Sequence, residues 1–256
     1  MTNNKTVLKW LEEMKELLTP DEVVWIDGSQ EQLDQLRQIS VDTGEMIKLN
    51  EEKLPGCYLH KTNPNDVARV EDRTFICSKT KENAGPTNNW CDPDEMYKKL
   101  YDIARGSYKG RTMYIIPYSM GPIGSPLAKI GIEVTDSTYV VLNMDIMTRV
   151  GKAVLDVLGD SDDWVRCLHC KCDIDPEKRY ICQFPEDNTI ISVNSGYGGN
   201  VLLARSASLF VSLLIRAGRK AGWLSICSFW ASKIRRVRLS TLQQHSRLPA
   251  VRPTSL

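Results

Sequence analysis

Arg69 is the first residue whose type and setting suggest binding chemistry. It lies in the polar segment NPNDVARVED at 63–72, between two short apolar runs. A guanidinium group presents a rigid fork of donors that can pair with both oxygens of a carboxylate, and such a contact contributes about 1.5–3 kcal/mol net. From these residues alone, an ion pair with the neighbouring Asp66 or Glu71 is the simpler interpretation.

The glycine-rich segment NSGYGGN at 194–200 is a second candidate for ligand binding. Gly198 and Gly199 would allow the backbone to approach a ligand closely, and their N–H groups can donate to an anion. Tyr197 adds an aromatic ring at the same place. By spacing alone, an ordinary glycine turn with a packed tyrosine accounts for the segment better.

The motif CLHCKC at 167–172 contains residue types that bind zinc, namely Cys167, His169, Cys170 and Cys172. A zinc ribbon requires a second close pair of ligands at a suitable distance, and Cys182 is the nearby candidate. One additional cysteine does not complete that pattern, so the spacing alone does not establish a metal site.

Three further polar residues have an ordinary structural explanation. His60 is expected to be a hydrogen-bonded structural histidine. Asp136 and Asp145 could be read as a pair of carboxylates for acid–base catalysis, but we expect a helix start at Asp136 and a solvated helix face at Asp145. None of the three is expected to be catalytic.

Apolar periodicity and turn residues predict the elements that must position these side chains. A helical period predicts helices over 7–18, 30–39, 92–105 and 137–158. Short apolar runs predict strands at 23–26, 57–60, 74–77, 112–118, 129–134, 180–184 and 190–193. The turn ending in Ser29 and the residue Asp92 are expected to cap two of the helices. Because helices and strands alternate, the sequence predicts a mixed α/β fold.

Three long motifs resemble the GTP-dependent phosphoenolpyruvate carboxykinases. They are GRTMYIIPYSMGPIGSPLAKIGIEVTDSTYVVLNMDIMTRVG at 110–151, NPNDVARVEDRTFI at 63–76 and NSGYGGNVLL at 194–203. The resemblance covers nearly all of residues 5–203. It implies that residues 1–203 form the family's N-terminal α/β domain, with a mixed sheet and flanking helices. It also implies a reaction of gluconeogenesis, in which oxaloacetate and GTP give phosphoenolpyruvate, GDP and carbon dioxide with the aid of Mn²⁺ or Mg²⁺.

The same resemblance implies roles for individual residues. Arg69 matches the arginine that holds a substrate carboxylate, and Tyr197 matches a tyrosine whose positive ring edge faces a carboxylate. Gly198 and Gly199 belong to that substrate-binding element. Oxaloacetate or phosphoenolpyruvate is therefore the expected ligand, bound weakly at most by this chain. The loop SMGPIGSP at 119–126 is implied to be structural.

Residues 204–256 differ in composition from the rest of the chain. They contain 10 basic residues and no Asp or Glu, so residues 1–203 carry 23 basic and 32 acidic side chains, a balance of −9. A basic segment of this kind is typical of nucleic-acid or membrane-surface binding. The motif resemblance also stops at residue 203.

A shift of the reading frame by one nucleotide accounts for this tail. With suitable synonymous codons, STLQQHS at 240–246 regroups to KYIAAAF and SICSFWAS at 225–232 regroups to EHMFILGI, both of which resemble family segments. In the same way, ARSASL at 204–209 gives GKKCFA and RPTS at 252–255 gives KTNL. Four matches in the family's order favour an out-of-frame tail over a tail selected to bind a partner. A decayed gene and an error in reading the gene are both consistent with it.

An out-of-frame tail removes the residues on which the family's chemistry depends. The family's metal-binding lysine would lie where Arg205 and Ser206 stand, and arginine does not deprotonate to bind a metal. The phosphate-binding loop ACGKTN is replaced by AVRPTS at 250–255. We therefore expect no catalytic, nucleotide-binding or metal-binding residue in this chain, no turnover, and an irregular or poorly packed segment 204–256. The alternative is a non-enzymatic protein that binds anions or nucleic acid through the basic tail.

Cysteine usage and hydropathy indicate the compartment in which the chain works. Eight cysteines at irregular spacings indicate a reducing environment, and no apolar run approaches the roughly 20 residues that a membrane span needs. The first residues lack the pattern of a signal peptide. We therefore expect a cytoplasmic protein with no membrane and no nucleic-acid partner, and the resemblance implies a monomer.

Overall fold

Helices and strands alternate along the chain, as the sequence predicts. The computed structural model describes residues 2–61, 66, 71–86, 88–126 and 128–196, so the predicted tail 204–256 lies outside the described residues. The helices are α1 (Lys5–Leu18), α2 (Gln30–Asp42), α3 (Lys81–Ala84), α4 (Pro93–Ala104), α5 (Thr138–Met147) and α6 (Lys152–Leu158). The strands are β1 (Glu22–Trp25), β2 (Ile47–Lys48), β3 (Tyr58–Leu59), β4 (Thr74–Ile76), β5 (Asn89–Trp90), β6 (Thr112–Met120), β7 (Lys129–Thr135), β8 (Arg149–Val150), β9 (Val165–Cys170), β10 (Tyr180–Phe184) and β11 (Thr189–Val193).

Nine strands of the described chain form one mixed sheet. Their order is β1-β6-β7-β9-β11-β10-β4-β5, with β8 beside β6. β6 and β7 are antiparallel, as are β10 and β11, whereas β7, β9 and β11 run parallel to one another. The mixed sheet with flanking helices is thereby confirmed. The short strands β2 and β3 pair with each other in a separate hairpin.

A hydrophobic core lies on each face of the large sheet. One core contains apolar side chains of α1, α4 and α6, with Leu100 fully buried, and the other contains those of α2 and α5, with Val141 fully buried. Because side chains alternate along a strand, the neighbours Ile115 and Ile116 of β6 belong to opposite cores. Within the described ranges, no helix combines the length and the apolar character needed to cross a membrane.

Two helices begin at the capping residues that the sequence predicts. The hydroxyl of Ser29 accepts a hydrogen bond from the N–H of Gln32 at 3.2 Å at the start of α2. The carboxylate of Asp92 accepts from the N–H groups of Asp94 and Glu95 at 3.0 and 3.2 Å at the start of α4. Both caps satisfy N–H groups that lack a partner within the helix.

The single helix predicted over 137–158 is wrong. The chain instead forms α5, the two-residue strand β8 and then α6. Gly151 lies at the break with a φ of 103°, and its N–H donates to the carbonyl of Pro117 at 3.0 Å. Both helices bury valine and leucine residues, so the apolar period continues through the break and conceals it.

The central strand β9 was omitted from the sequence prediction. Its sequence, VRCLHC, lies between β7 and β11, and its last four residues are buried. A strand covered on both faces lacks the alternation of polar and apolar residues that identifies a half-buried strand. The cysteines and the histidine of this segment were therefore considered for metal binding rather than for the core.

Parallel strands bring three chain segments to one edge of the sheet. β7, β9 and β11 run in the same direction, so the residues that follow them lie side by side. These residues are Asp136, Lys171 and the segment 194–196. In open α/β sheets, ligands commonly bind outside the carboxyl ends of the strands, which makes this edge the place to look for a site.

Candidate functional site

A cleft of about 830 Å³ opens at this edge of the sheet. Its lining includes Asp136, Lys171 and Gly196, which follow three of the parallel strands, together with Asp66 and Arg111. Asp66 precedes Arg69 by three residues, and Gly196 directly precedes Tyr197. The cleft therefore lies where the two sequence motifs proposed for substrate binding approach each other.

Asp66 joins these two motifs through its carboxylate. One oxygen accepts a hydrogen bond from the hydroxyl of Ser195 at 3.0 Å, and the other accepts from the N–H of Gly196 at 2.5 Å. Asp66 is only 3% exposed, and its bond with Ser195 is buried. A β-carbon at position 196 would lie 3.0 Å from the Asp66 carboxylate, which favours glycine at this close approach.

Arg179 supports the same carboxylate from within the protein. Its guanidinium lies 3.5 Å from Asp66 as a buried ion pair, and its Nε donates to the carbonyl of Asn194 at 2.9 Å. The side chain of Asn194 in turn accepts from the N–H of Asp175 at 3.2 Å and donates to the carbonyl of Lys178 at 2.9 Å. The backbone just before Ser195 is therefore fixed to the 175–179 segment by the side chains of Arg179 and Asn194.

His169 fixes the backbone of Ser195 from the other side. The ring lies between the hydroxyl of Thr135, 2.8 Å from Nδ1, and the carbonyl of Ser195, 2.7 Å from Nε2. Complete burial lowers the pKa of His169 below its ordinary value of 6.5, so the ring is neutral. Because a carbonyl can only accept, Nε2 carries the proton and Nδ1 accepts from the hydroxyl of Thr135.

Asp136 is a buried ion-pair partner and not the helix start that the sequence predicts. Its side chain has no exposed surface, it pairs with the guanidinium of Arg111, and it accepts from the N–H of Lys171 at 2.9 Å. The residue that caps α5 is Ser137. Asp145 lies half-buried on α5, so its expected solvated face is only partly solvated. Asp136 acts here by holding two cationic residues at the cleft.

Lys171 forms a second ion pair at the cleft with Glu45. Its Nζ lies 2.8 Å from the Glu45 carboxylate, which also accepts from Ser137 and Thr138 at 3.1 and 2.7 Å. Burial alone would raise the pKa of Glu45, but these hydrogen bonds outweigh it and hold the pKa below its ordinary value of 4.5. Glu45 is therefore ionised at neutral pH.

His60 is the structural histidine that the sequence predicts. Its Nδ1 lies 2.8 Å from the carbonyl oxygen of Glu45, and its ring stacks on Tyr139 with centroids 3.7 Å apart. The hydrogen bond joins the two ends of the hairpin of β2 and β3, and the stack holds that hairpin against the start of α5. His60 also lines the cleft, and one face of its ring is covered by the ring of Tyr139.

The CLHCKC motif is divided between the two faces of the sheet. Cys167 belongs to one core, where its sulfur lies 3.0 Å from the hydroxyl of Tyr118, and Cys170 belongs to the other. Both ring nitrogens of His169 are occupied by Thr135 and Ser195. Among the described residues, no group of three or more His, Cys, Asp or Glu side chains is arranged to hold a metal ion. The alternation along β9 explains why Cys167 and Cys170 lie on opposite faces of the sheet.

The residues proposed from the sequence to bind substrate lie outside the described residues. They are Arg69, Tyr197, Gly198 and Gly199. Two described residues close to them in the chain, Asp66 and Gly196, are in direct contact. Sequence reasoning named Asp66 only as an alternative partner for Arg69, whereas its described partners are Ser195, Gly196 and Arg179.

Three residues of this network were missed in the sequence. His169 was considered only as a zinc ligand, and neither Arg179 nor Ser195 was singled out. The available signal was weak: Arg179 immediately precedes a buried strand, where an arginine needs an internal partner. The arrangement as a whole can hold a backbone segment rigidly beside a cleft that contains two partly exposed cations, Arg111 and Lys171.

Known proteins similar to this chain are phosphoenolpyruvate carboxykinases. The sequence profile of the phosphoenolpyruvate carboxykinase N-terminal domain matches residues 9–212. The chain is 53% identical over 224 residues to the phosphoenolpyruvate carboxykinase [GTP] of Anaeromyxobacter dehalogenans strain 2CP-C, covering 88% of this chain and 37% of that protein. It is 50% identical over 216 residues to the enzyme of the same name from Neocallimastix frontalis, covering 79% and 35%.

A third relative extends the same relationship to another group of bacteria. The phosphoenolpyruvate carboxykinase [GTP] of Corynebacterium efficiens is 46% identical over 238 residues, covering 88% of this chain and 38% of that protein. The chain thus spans little more than a third of the length of the curated relatives that it matches. With the profile match over most of its residues, the chain belongs to the phosphoenolpyruvate carboxykinase family and contains the N-terminal domain of that family.

Proposed function

We propose that residues 1–203 are the substrate-side domain of a GTP-dependent phosphoenolpyruvate carboxykinase and bind a carboxylate of oxaloacetate or phosphoenolpyruvate. Arg69 supplies the charged fork for that carboxylate, while Tyr197, Gly198 and Gly199 supply a ring edge and backbone donors. The observation that carries the proposal is the contact of Asp66 with Ser195 and Gly196, which ties the chain next to Arg69 to the chain next to Tyr197.

The charges around the cleft support an anionic ligand. Arg111 and Lys171 each pair with a carboxylate, and the carboxylates of Asp136 and Glu45 are more deeply buried than the cations that they hold. The exposed parts of these pairs are therefore mainly cationic. Such a surface attracts a dicarboxylate by electrostatic steering, even where the close contacts are made by other residues.

We further propose that residues 204–256 are an out-of-frame translation and that the 256-residue chain has no turnover of its own. The chemistry of the full-length relatives calls for a metal ion and a nucleotide cradle, and loss of one electrostatic catalytic group typically costs about 10²–10³ in rate. Arg205 and Ser206 occupy the position where the resemblance expects a metal-binding lysine. On this proposal GTP and Mn²⁺ or Mg²⁺ belong to full-length relatives, and the chain is a cytoplasmic monomer.

Ligand binding tests the first proposal. We expect titration of the ¹⁵N-labelled chain with oxalate, a stable small dicarboxylate, to shift amide signals around 194–199, with weak affinity. Arg69→Gln should remove the response, because the charged fork is lost. Arg37→Gln is the matched control, since Arg37 pairs with Asp34 on the surface of α2. A response that survives in Arg69→Gln, or that is lost equally in Arg37→Gln, would contradict the assignment.

Two measurements test the proposal about the tail. A coupled assay with GTP, oxaloacetate and Mn²⁺ should detect no phosphoenolpyruvate formation by the purified chain, and measurable turnover would overturn the proposal. The nucleotide sequence around codon 203 should contain the regrouped triplets, followed downstream by a frame that encodes the rest of the enzyme or its remnant.

Nucleic-acid binding is the second candidate function, because residues 204–256 hold 10 basic and no acidic residues. It predicts affinity for DNA or RNA that falls steeply as salt rises and disappears when 204–256 is deleted. Oxalate binding would be unaffected by that deletion. The two candidates can thus be separated with one deletion and two ligands.

A further inference from the structure

We propose that Cys170 and Cys172 form a dithiol site that hydroperoxides oxidise reversibly to a disulfide, with Cys172 as the sulfur that reacts first. The site lies at the end of β9, beside the cleft. Neither cysteine forms a disulfide in this structure. The proposal goes beyond the proposed function and does not depend on it, because it concerns a modification of the chain by an oxidant.

The backbone brings the two cysteines to the same side of the sheet. Cys170 ends β9 and belongs to the core that contains α1 and α4, and Cys172 packs against the same core. Two residues of extended chain span at most about 7 Å, and a disulfide joins Cα atoms about 4.4–6.8 Å apart. The chain turns at this point, because Cys172 has a φ of 48° and the N–H of Ile174 donates to the carbonyl of Lys171 at 3.3 Å. The spacing of the two cysteines is therefore compatible with a disulfide.

The two thiols differ in exposure and in acidity, which assigns their roles. Cys170 is fully buried and Cys172 is partly exposed, so an oxidant reaches Cys172 first. Hydrogen bonding by the Cys170 thiol, together with the N–H of Asn194, lowers the pKa of Cys172 below its ordinary value of 9.0, although partial burial opposes it. Burial raises the pKa of Cys170. Because the thiolate is the reactive form, Cys172 is the nucleophile and Cys170 is the resolving thiol.

The reaction balances with a hydroperoxide as the oxidant. The Cys172 thiolate attacks the terminal oxygen of the peroxide, so that an S–O bond forms and the O–O bond breaks. The leaving oxygen takes up a proton and departs as an alcohol or as water. The sulfur of Cys170 then attacks the sulfur of the Cys172 sulfenic acid, the S–S bond forms, and the hydroxyl leaves as water with the proton of the Cys170 thiol. Each cysteine sulfur gives up one electron, and the peroxide takes up two.

A second pair of neighbouring cysteines lacks these features and serves as an internal control. Cys77 and Cys182 lie in the same core and hydrogen-bond to each other, and both are buried. Burial raises the pKa of Cys182 well above its ordinary value. We therefore expect this buried pair to stay reduced under conditions that oxidise Cys170 and Cys172.

Oxidation would act on the cleft through Lys171, which lies between the two cysteines. The N–H of Lys171 donates to Asp136 at 2.9 Å, and its Nζ pairs with Glu45 at 2.8 Å. The carbonyl of Cys172 also accepts from Arg111 at 3.4 Å. A disulfide closes a small ring around Lys171 and so changes the backbone that makes these contacts. The amide signal of Lys171 should therefore shift on oxidation and return on reduction.

Peptide mapping of the 256-residue chain after brief treatment with hydrogen peroxide is the direct test. Trypsin cuts after Lys171, so Cys170 and Cys172 fall on neighbouring peptides. We expect a disulfide to join these two peptides, dithiothreitol to remove it, and the peptides of the buried pair to remain reduced. Absence of the disulfide, its formation between Cys172 and any other cysteine, or equal oxidation of the buried pair would overturn the proposal.

Two variants separate the roles of the cysteines. In Cys170→Ser the disulfide should be absent, and Cys172 should accumulate as a sulfenic acid that dimedone traps, because the resolving thiol is gone. In Cys172→Ser neither product should form at this site. Cys57→Ser removes an exposed cysteine elsewhere, so it is the matched control and should oxidise at this site as the unchanged chain does. A disulfide at Cys172 that survives in Cys170→Ser would assign the resolving role to another thiol and contradict the proposal.

A reagent for paired thiols tests the site without any substitution and decides the matter if Cys170→Ser fails to fold. Phenylarsine oxide bonds to two neighbouring thiols with loss of water, so it should protect Cys172 from iodoacetamide and leave Cys57 reactive. Without the reagent, iodoacetamide should alkylate Cys172 at least about tenfold faster than Cys91, which is also partly exposed but whose pKa is raised by burial. Failure of protection, or equal alkylation of Cys172 and Cys91, would overturn the proposal.

Discussion

His169 holds the backbone of Ser195 through a hydrogen bond of 2.7 Å from Nε2 to the carbonyl oxygen. The bond requires a proton on Nε2. The other ring nitrogen, Nδ1, accepts a hydrogen bond from the hydroxyl of Thr135. A neutral histidine therefore holds the backbone at Ser195, two residues before Tyr197. Protonation of the ring would leave a buried charge, and the hydroxyl of Thr135 would have to turn from donor to acceptor at Nδ1.

The stability of the chain should fall below about pH 6.5 because of His169. Burial lowers the pKa of His169 from 6.5 in the folded chain, so the unfolded chain binds a proton in a range where the folded chain does not. Stability is therefore fully present above pH 6.5 and declines as the pH falls below it, by at most about 1 kcal/mol between pH 7 and 5.5 for a group with an unfolded pKa of 6.5. Urea unfolding at a series of pH values measures this slope.

The matched variants for this prediction are His169→Gln and His60→Gln. The first removes the titrating ring while keeping a donor for the Ser195 carbonyl, so the decline between pH 7 and 5.5 should disappear. The second removes a different histidine, and the decline should persist. A decline that survives unchanged in His169→Gln would mean that other groups cause it.

Trp164→Ala should destabilise the chain by about 3–5 kcal/mol, the usual cost of removing a large buried aromatic side chain. Trp164 is 1% exposed, its ring centroid lies 5.5 Å from that of Trp10, and its indole N–H donates to the hydroxyl of Thr6 at 3.2 Å. Both partners belong to α1, so the substitution loosens α1 from the sheet. Trp164→Phe should cost clearly less, and equal losses in urea unfolding would argue against this packing role.

Gly151→Ala should be far more damaging than Gly44→Ala, although both glycines have positive φ. A β-carbon at 151 would lie 2.0 Å from the carbonyl oxygen of Asp27, whereas one at 44 would meet nothing within 4 Å. A positive φ costs about 1–2 kcal/mol for alanine at 44, whereas the φ of 103° and ψ of −163° at 151 belong to a region that is essentially restricted to glycine. The clash with backbone should add several kcal/mol at 151 and leave little folded protein, as measured by circular dichroism and soluble yield. Similar stability in the two variants would contradict the close approach.

Local signals in the sequence were sufficient for much of the fold. Ser29 and Asp92 cap helices because a short polar side chain binds nearby N–H groups, and that interaction depends on residues within one turn. The break at Gly151 was missed for the opposite reason. Its cause is a hydrogen bond to Pro117 and pairing of β8 with β6, which lie far away in sequence.

The candidate site was less predictable than the fold. The segments that contain Arg69 and Tyr197 were identified through long motifs, but the bond between Asp66 and Gly196 spans 130 residues. Only the order of β11, β10 and β4 in the sheet brings such segments together. Residue types in one sequence do not encode that order directly, so Asp66 was considered as a partner of its neighbour Arg69. For the same reason, His169 was considered with the adjacent cysteines.

Asn4→Ala should cost about 2–4 kcal/mol, because Asn4 performs two tasks at once. Its carbonyl oxygen caps α1 by accepting from the N–H groups of Thr6 and Val7 at 3.0 and 3.2 Å, a contribution of about 0.5–2 kcal/mol. Its amide donates to the carbonyls of Gly159 and Ser161 at 2.8 and 2.9 Å, and the loss of each of these hydrogen bonds costs about 0.5–1.5 kcal/mol.

The control for Asn4 is Asn50→Ala, which also removes an asparagine that accepts from two backbone N–H groups. Those bonds, from Glu52 and Lys53, lie at the surface, where water can replace them. We therefore expect Asn50→Ala to cost less than about 1 kcal/mol in urea unfolding. The side chains of α1 belong to a different core from those of α2 and α5. Hydrogen exchange in Asn4→Ala should therefore become faster in α1 than in α2 and α5. If the two variants were equally stable, the link from α1 to the 159–161 turn would contribute nothing, and the helix would depend on its apolar face alone.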